Sequence, residues 1–221
     1  MKYLGLLLFL PLVTIPHFCF AHIPSLVSQS SLLDITQIED PEVSRAYYGE
    51  LNNFPHTYEI RSSEPFNLFV EITVPDIKTA KNNVSGIIVK ELPRGGVEEI
   101  ARLEAKTASW ESFFEPFGGD SYRRGSQFEG EVEPGVYRIE VHTPDNLEKY
   151  VLVVGKTERF GDGGIINFYK KLVGIKVFFD KSPLRVVESP FVYVPLSVIL
   201  ILGFLWFRKR SKVGTDLGLH T

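Results

Sequence analysis

The chain has 221 residues, 24 basic against 27 acidic, and 44% hydrophobic residues that include 17 Phe and 9 Tyr. That length holds one ordinary domain with extensions and excludes an enzyme assembled from several domains. The apolar and aromatic content excludes a disordered chain, and a formal charge of −3 argues against nucleic acid as a partner.

In chain order, residues 1–21 combine Lys2, an apolar run from Tyr3 to Val13 and the small Ala21. These are the three parts of a secretory signal peptide. Cleavage after Ala21 removes Cys19, the one cysteine, and leaves His22 as the new N-terminus. The mature chain then has no disulfide and no thiolate chemistry. Residues 22–41, Ser-rich with Pro24 and Pro41, predict an extended lead-in.

Residues 42–160 carry repeated strand signals. His56–Ile60 alternates, and Phe66–Val74 alternates for longer, with Phe66, Leu68, Val70, Ile72 and Val74 on one face. Gly86–Lys90 and Glu99–Leu103 flank the turn cluster Pro93-Arg94-Gly95-Gly96 and predict a hairpin. Gly135–Val141 places Tyr137, Ile139 and Val141 inward. Lys149–Val154 is apolar on both faces, as a central strand would be, and Pro144-Asp145-Asn146 joins the two. Short strands punctuated by turns predict a β-sandwich. Between them, Trp110 to Phe128 is read as a long aromatic connection around Gly118-Gly119-Asp120. Long connections often carry binding surfaces, so Trp110, Phe114, Phe117, Asp120 and Tyr122 are the candidate ligand-binding residues. The alternative is that these aromatics fold inward and cap one end of the sandwich.

Residues 161–188 predict a juxtamembrane amphipathic segment. Ile165, Ile166, Tyr169, Leu172, Val173 and Phe179 recur near helical spacing beside Lys170, Lys171 and Lys176. Docking on the sandwich and lying on the outer leaflet are both open for this helix. Residues 189–207 contain no charge and come close to the ~20 residues of a membrane span. Arg208-Lys209-Arg210-Ser211-Lys212 follows at once, and such a cluster stays cytoplasmic, so 208–221 is a cytoplasmic tail. The expected fold class is mainly β: a secreted, jelly-roll-like β-sandwich ectodomain, the juxtamembrane helix, and one C-terminal transmembrane helix. The expected location is the cell membrane, single-pass, with the N-terminal domain extracytoplasmic. Residues 22–188 hold 19 basic and 26 acidic residues, a net −7 that keeps such a domain soluble and off anionic lipid.

Phe128-Glu129-Gly130-Glu131-Val132-Glu133-Pro134-Gly135-Val136-Tyr137-Arg138-Ile139-Glu140-Val141, then Asp145-Asn146, then Lys149-Tyr150-Val151-Leu152-Val153-Val154-Gly155, resembles the end of bacterial pre-peptidase C-terminal domains. Those domains share a Pro/Ala-Gly-x-Tyr strand, a turn and a Tyr-x-Leu-x-Val strand. The resemblance covers residues 128–155 and implies a secreted β-sandwich of accessory or binding type.

No Gly-x-Ser-x-Gly, His-Glu-x-x-His, Walker or dinucleotide-binding pattern is present, and no cofactor is expected. Glu129, Glu131 and Glu133 alternate on one strand face; with Asp120 they have oxygen chemistry suited to Ca²⁺, but a solvated outer face is the preferred reading. His22, freed by cleavage, resembles the first residue of envelope copper carriers, where α-amine and imidazole together chelate Cu(II). His56 and His142 are the candidates to complete that set. The leading expectation is a non-catalytic binding or interaction module of the cell envelope, partnered by the membrane and by an envelope protein or glycan. The alternatives are a copper-binding envelope protein and a hydrolase without a recognised motif.

Overall fold

The computed structural model describes residues 22–115, 117–159 and 164–216. The signal peptide assigned to 1–21, Cys19, Gly161 to Gly163, residues 217–221 and the side chains of Ile165, Lys209 and Lys212 lie outside the described residues.

Period-two alternation becomes strand wherever turn residues bound it. The strands are β1 (Ile23–Leu26), β2 (Ile35–Ile38), β3 (Arg45–Glu50), β4 (His56–Ser62), β5 (Phe66–Pro75), β6 (Ser85–Glu91), β7 (Val97–Leu103), β8 (Glu111–Glu115), β9 (Asp120–Val132), β10 (Gly135–His142) and β11 (Lys149–Val154). A helix α1 (Gly164–Phe178), a 3₁₀ turn (Pro183–Glu188) and a long helix α2 (Pro190–Asp216) follow. A six-stranded sheet runs β1-β3-β11-β5-β9-β8, and a five-stranded sheet runs β2-β4-β10-β6-β7. Their inner faces share one core that includes all of Phe66, Leu68, Val70, Ile72, Tyr137, Ile139, Tyr150 and Leu152.

The strands at 56–62, 66–75, 85–91, 97–103, 135–142 and 149–154 follow the sequence pattern, and β11 is central, between β3 and β5. Two features differ from expectation. The stretch 22–41 is not only a lead-in: β1 pairs parallel with β3 and β2 parallel with β4, one edge strand for each sheet. The segment Trp110 to Phe128 is not an irregular connection but the β8–β9 hairpin, paired from Glu111↔Arg124 to Glu115↔Asp120. A third feature lies outside the strand-by-strand reading: the Pro144–Asn146 turn joins β10 to β11 as the sequence implies, but it carries the chain from one sheet to the other. Tyr137 donates its hydroxyl to the Glu133 carbonyl at 2.5 Å, pinning the corner before β10 in the manner of a tyrosine corner.

Helix α1 docks on the outer face of the six-stranded sheet. Leu172, Ile175 and Phe179 close a second apolar cluster with Ala46, Tyr48, Phe69, Tyr122, Val151 and Val153. This is why β5 and β11 are buried on both faces. Helix α2 is long and apolar enough to cross a membrane over Pro190–Arg208, with a mean hydropathy of 2.1 and none of that stretch buried.

Candidate functional site

The most unusual chemistry in the chain lies where α1, the β8–β9 turn and the start of α2 meet. Along α1 the buried stripe runs Leu172, Ile175, Lys176, Phe179, so a lysine occupies a position its spacing assigns to the core. Lys176 is 0% exposed, and its ammonium lies 2.9 Å from Oδ2 of Asp120, 3.4 Å from the Gly119 carbonyl and 3.5 Å from Oε2 of Glu188. All three ammonium protons therefore have an acceptor. The other Asp120 oxygen takes Lys181 at 2.5 Å, while Glu188 also receives Arg185 at 2.7 Å.

Local backbone rules place each member. Helix α1 ends in a Schellman arrangement: Asp180 is left-handed at φ 56°, its N–H reaches the Val177 carbonyl, and Lys181 N–H reaches the Lys176 carbonyl. That reversal turns Lys181 back toward Asp120. On the facing hairpin, Gly119 has φ 70°, and a Cβ there would stand 2.7 Å from the Glu188 carbonyl oxygen. Only glycine fits both the turn and the approach. Glu115 shapes the same turn, its carboxylate accepting N–H bonds from Phe117 at 2.6 Å and Gly118 at 2.7 Å.

The start of α2 is bound to this network. Ser189, fully buried, donates to the Phe117 carbonyl at 2.6 Å, and the Phe117 and Phe191 rings lie 5.7 Å apart. Pro195 has no N–H to give the carbonyl four residues earlier, that of Phe191. The Tyr169 hydroxyl of α1 donates to that carbonyl at 3.2 Å. The proline that interrupts the helix ladder thus releases an acceptor through which α1 holds α2.

Burial is the dominant electrostatic effect. It pushes the Glu115 carboxyl up to about 7, opposed by the two turn N–H groups, with Asp120 adding to the rise and Lys176 opposing it. Burial likewise raises the Tyr48 and Tyr122 phenols, whose oxygens are 3.1 Å apart. Glu115→Gln tests this balance. The folded carboxyl titrates above its ordinary 4.5, so wild-type stability falls as pH rises from about 4.5 to about 7 and stays lowered above it. The Gln variant has no such term. Its stability relative to wild type is expected to climb across that window by up to about 3 kcal/mol, read from urea midpoints at a series of pH values. A pH-independent difference would contradict it.

The sequence candidates are distributed differently. Phe117, Asp120 and Tyr122 are buried at the junction; Phe114 is 57% exposed. Trp110 is half-buried against the inter-sheet core, its indole N–H on the Ala105 carbonyl at 2.9 Å. The five residues do not line one surface: Phe114 pairs with Ser121 and so faces away from Asp120 and Tyr122, while Trp110 and Phe117 lie outside the two strands. Glu115, Lys176, Lys181, Glu188 and Ser189 were not among the candidates. Only Lys176, by its place in the apolar stripe, carried a signal.

The three histidines of the alternative copper set sit in different surroundings. His22 Nδ1 contacts the Ser44 hydroxyl beside the start of β3. His56 lies inside the core with Nδ1 2.9 Å from the Tyr150 hydroxyl, which is itself 2.8 Å from that of Tyr58. Burial lowers the affinity of both imidazoles for protons. His56 pairs with Val141, so the next residue, His142, points to the opposite face of the sheet. Among the described residues, no group of three His, Cys, Asp or Glu side chains is placed to hold a metal ion. Glu129, Glu131 and Glu133 are exposed, at the other end of β9 from buried Asp120.

A shallow groove of about 390 Å³ lies on the outer face of the five-stranded sheet, lined by Leu32, Leu33, Ile35, Ile87, Val89 and Val97 with Arg138 and Glu140.

No protein-family model and no curated protein matches the chain. Among solved structures it is similar to the pre-peptidase C-terminal domain of collagenase from Bacillus anthracis, at 11% identity and a TM-score of 0.34, covering 55% of this chain and 93% of that one. It is also similar to the Yersinia pseudotuberculosis-derived mitogen, at 11% identity and a TM-score of 0.35, covering 54% of this chain and 91% of that one. The first is of the family that residues 128–155 resemble, and the likeness is weak.

Proposed function

We propose that the protein is a single-pass, membrane-anchored, non-catalytic interaction module of the cell envelope, its sandwich held in a fixed attitude on the membrane helix. The observation that carries this reading is the junction. A fully buried Lys176–Asp120 pair ties α1 to β9 of the six-stranded sheet, and the Ser189–Phe117 bond ties the residue just before a 19-residue apolar stretch to the β8–β9 turn. A flexible tether would need none of this, and a buried ion pair is costly to assemble. The charges concerned are closed to solvent and neutralise one another, which suits them to holding rather than to reacting. Arg208 and Arg210 at the far end of the apolar stretch support an inward-facing tail.

Cysteine accessibility in intact cells tests the topology, in a full chain carrying Cys19→Ser. Leu33→Cys, in a loop residue 88% exposed, is expected to react with a membrane-impermeant maleimide. Ser211→Cys is expected to react only after permeabilisation. Reaction of both sites, or of neither, in intact cells would contradict the reading.

A further inference from the structure

We propose that the 3₁₀ turn Pro183–Glu188 is a lipid-contacting surface, with Leu184 and Val187 set at the boundary between headgroups and acyl chains of the leaflet that α2 enters. This inference rests on the membrane-span reading of α2.

The turn is amphipathic at its own period. Side chains three residues apart eclipse in a 3₁₀ helix, so Leu184 and Val187 form one row. That row faces outward, with Leu184 80% and Val187 50% exposed. Two of the other residues turn inward: Val186 packs on the apolar cluster under α1, and Glu188 receives Lys176 and Arg185. Exposed leucines scattered over a surface need no explanation. The position of these two is what distinguishes them.

Only Ser189 separates the turn from Pro190, the first residue of the apolar stretch. Val187, three residues back, is at most about 10 Å from Pro190 along the chain, since Ser189 is extended after the turn ends at Glu188. The headgroup layer on each side of the hydrocarbon is itself roughly 5–7 Å deep. The turn cannot lift away, because Phe191 and Val192 pack against the sandwich cluster and Ser189 is bonded to Phe117. Whatever surface α2 enters, this end of the domain lies on it. Arg185, paired with Glu188 and with its side chain 53% exposed, lies between the two residues of the row in sequence and adds a polar rim to it. An apolar row beside a membrane-entering helix, with a cation at its rim, fits an interfacial lipid surface.

The test uses full chain in the Cys19→Ser background, reconstituted in vesicles of phosphatidylcholine and phosphatidylglycerol. Nitroxide labels are placed singly at Leu184→Cys, Val187→Cys, Ile199→Cys within the span, and Leu33→Cys on the distant face. Collision with oxygen against a water-soluble nickel chelate is then read by electron paramagnetic resonance. The expected result is an oxygen-to-chelate ratio at 184 and 187 severalfold above that at 33 and approaching that at 199. Labels at 184 and 187 as open to the chelate as 33, with 199 shielded, would overturn the inference and leave the anchor intact. A chelate-accessible label at 199 would overturn the span reading and this inference with it.

Discussion

Asp120→Ala is expected to destabilise the folded chain by about 3–5 kcal/mol, the range for removing one partner of a buried ion pair. Lys176 is 0% exposed and would keep only the Gly119 carbonyl and a 3.5 Å contact with Glu188. Lys181 would lose its carboxylate as well. The double variant Asp120→Leu with Lys176→Met removes both charges together. It is expected to cost clearly less than the two single substitutions added, because no unpaired ion is left inside. Urea unfolding in mild detergent measures wild type, Asp120→Leu, Lys176→Met and the double variant, with Asp120→Ala beside them. Additive costs would show that the two charges do not act as a pair.

Leu152→Ala is expected to cost about 2–5 kcal/mol, as for other fully buried leucines truncated in a packed core. Leu152 is 0% exposed at the middle of β11, between Tyr47 of β3 and Ile72 of β5, where the two sheets face each other. Loss there removes apolar burial and leaves a cavity that central strands have little freedom to fill. Leu33→Ala, at 88% exposure, serves as the control and is expected near zero. Equal small effects at both positions would mean that β11 does not carry the core.

The inter-sheet core was legible because its strands obey one rule locally. Phe66, Leu68, Val70 and Ile72 alternate within one strand, and Gly95-Gly96 mark the β6–β7 turn with φ values of 84° and 86°. What the sequence hid depends on distant partners. β1 and β2 have four residues each, too few to show a period, and they exist because Ile23 finds Arg45 and Ile35 finds Thr57. The β8–β9 hairpin was hidden by its own composition. Aromatics fall on both faces, Phe113 and Tyr122 under α1 and Phe128 in the inter-sheet core, so alternation of apolar with polar is lost. At the junction, Lys176 reads as the polar flank of an amphipathic helix until Asp120, on another element, is seen to neutralise it. An ion pair between separate elements leaves no local pattern; only the lysine's place in the stripe 172, 175, 176, 179 hinted at it.

The central claim is that sandwich and apolar helix move as one body. Double electron–electron resonance between nitroxides at Val97→Cys on β7 and Leu202→Cys on α2, in full Cys19→Ser chain in vesicles, measures this directly. Both positions are exposed, at 57% and 46%, so the labels disturb neither core nor junction. The predicted result is one narrow distance distribution that broadens when Asp120→Ala is added. A broad distribution in the otherwise unaltered junction would contradict the account.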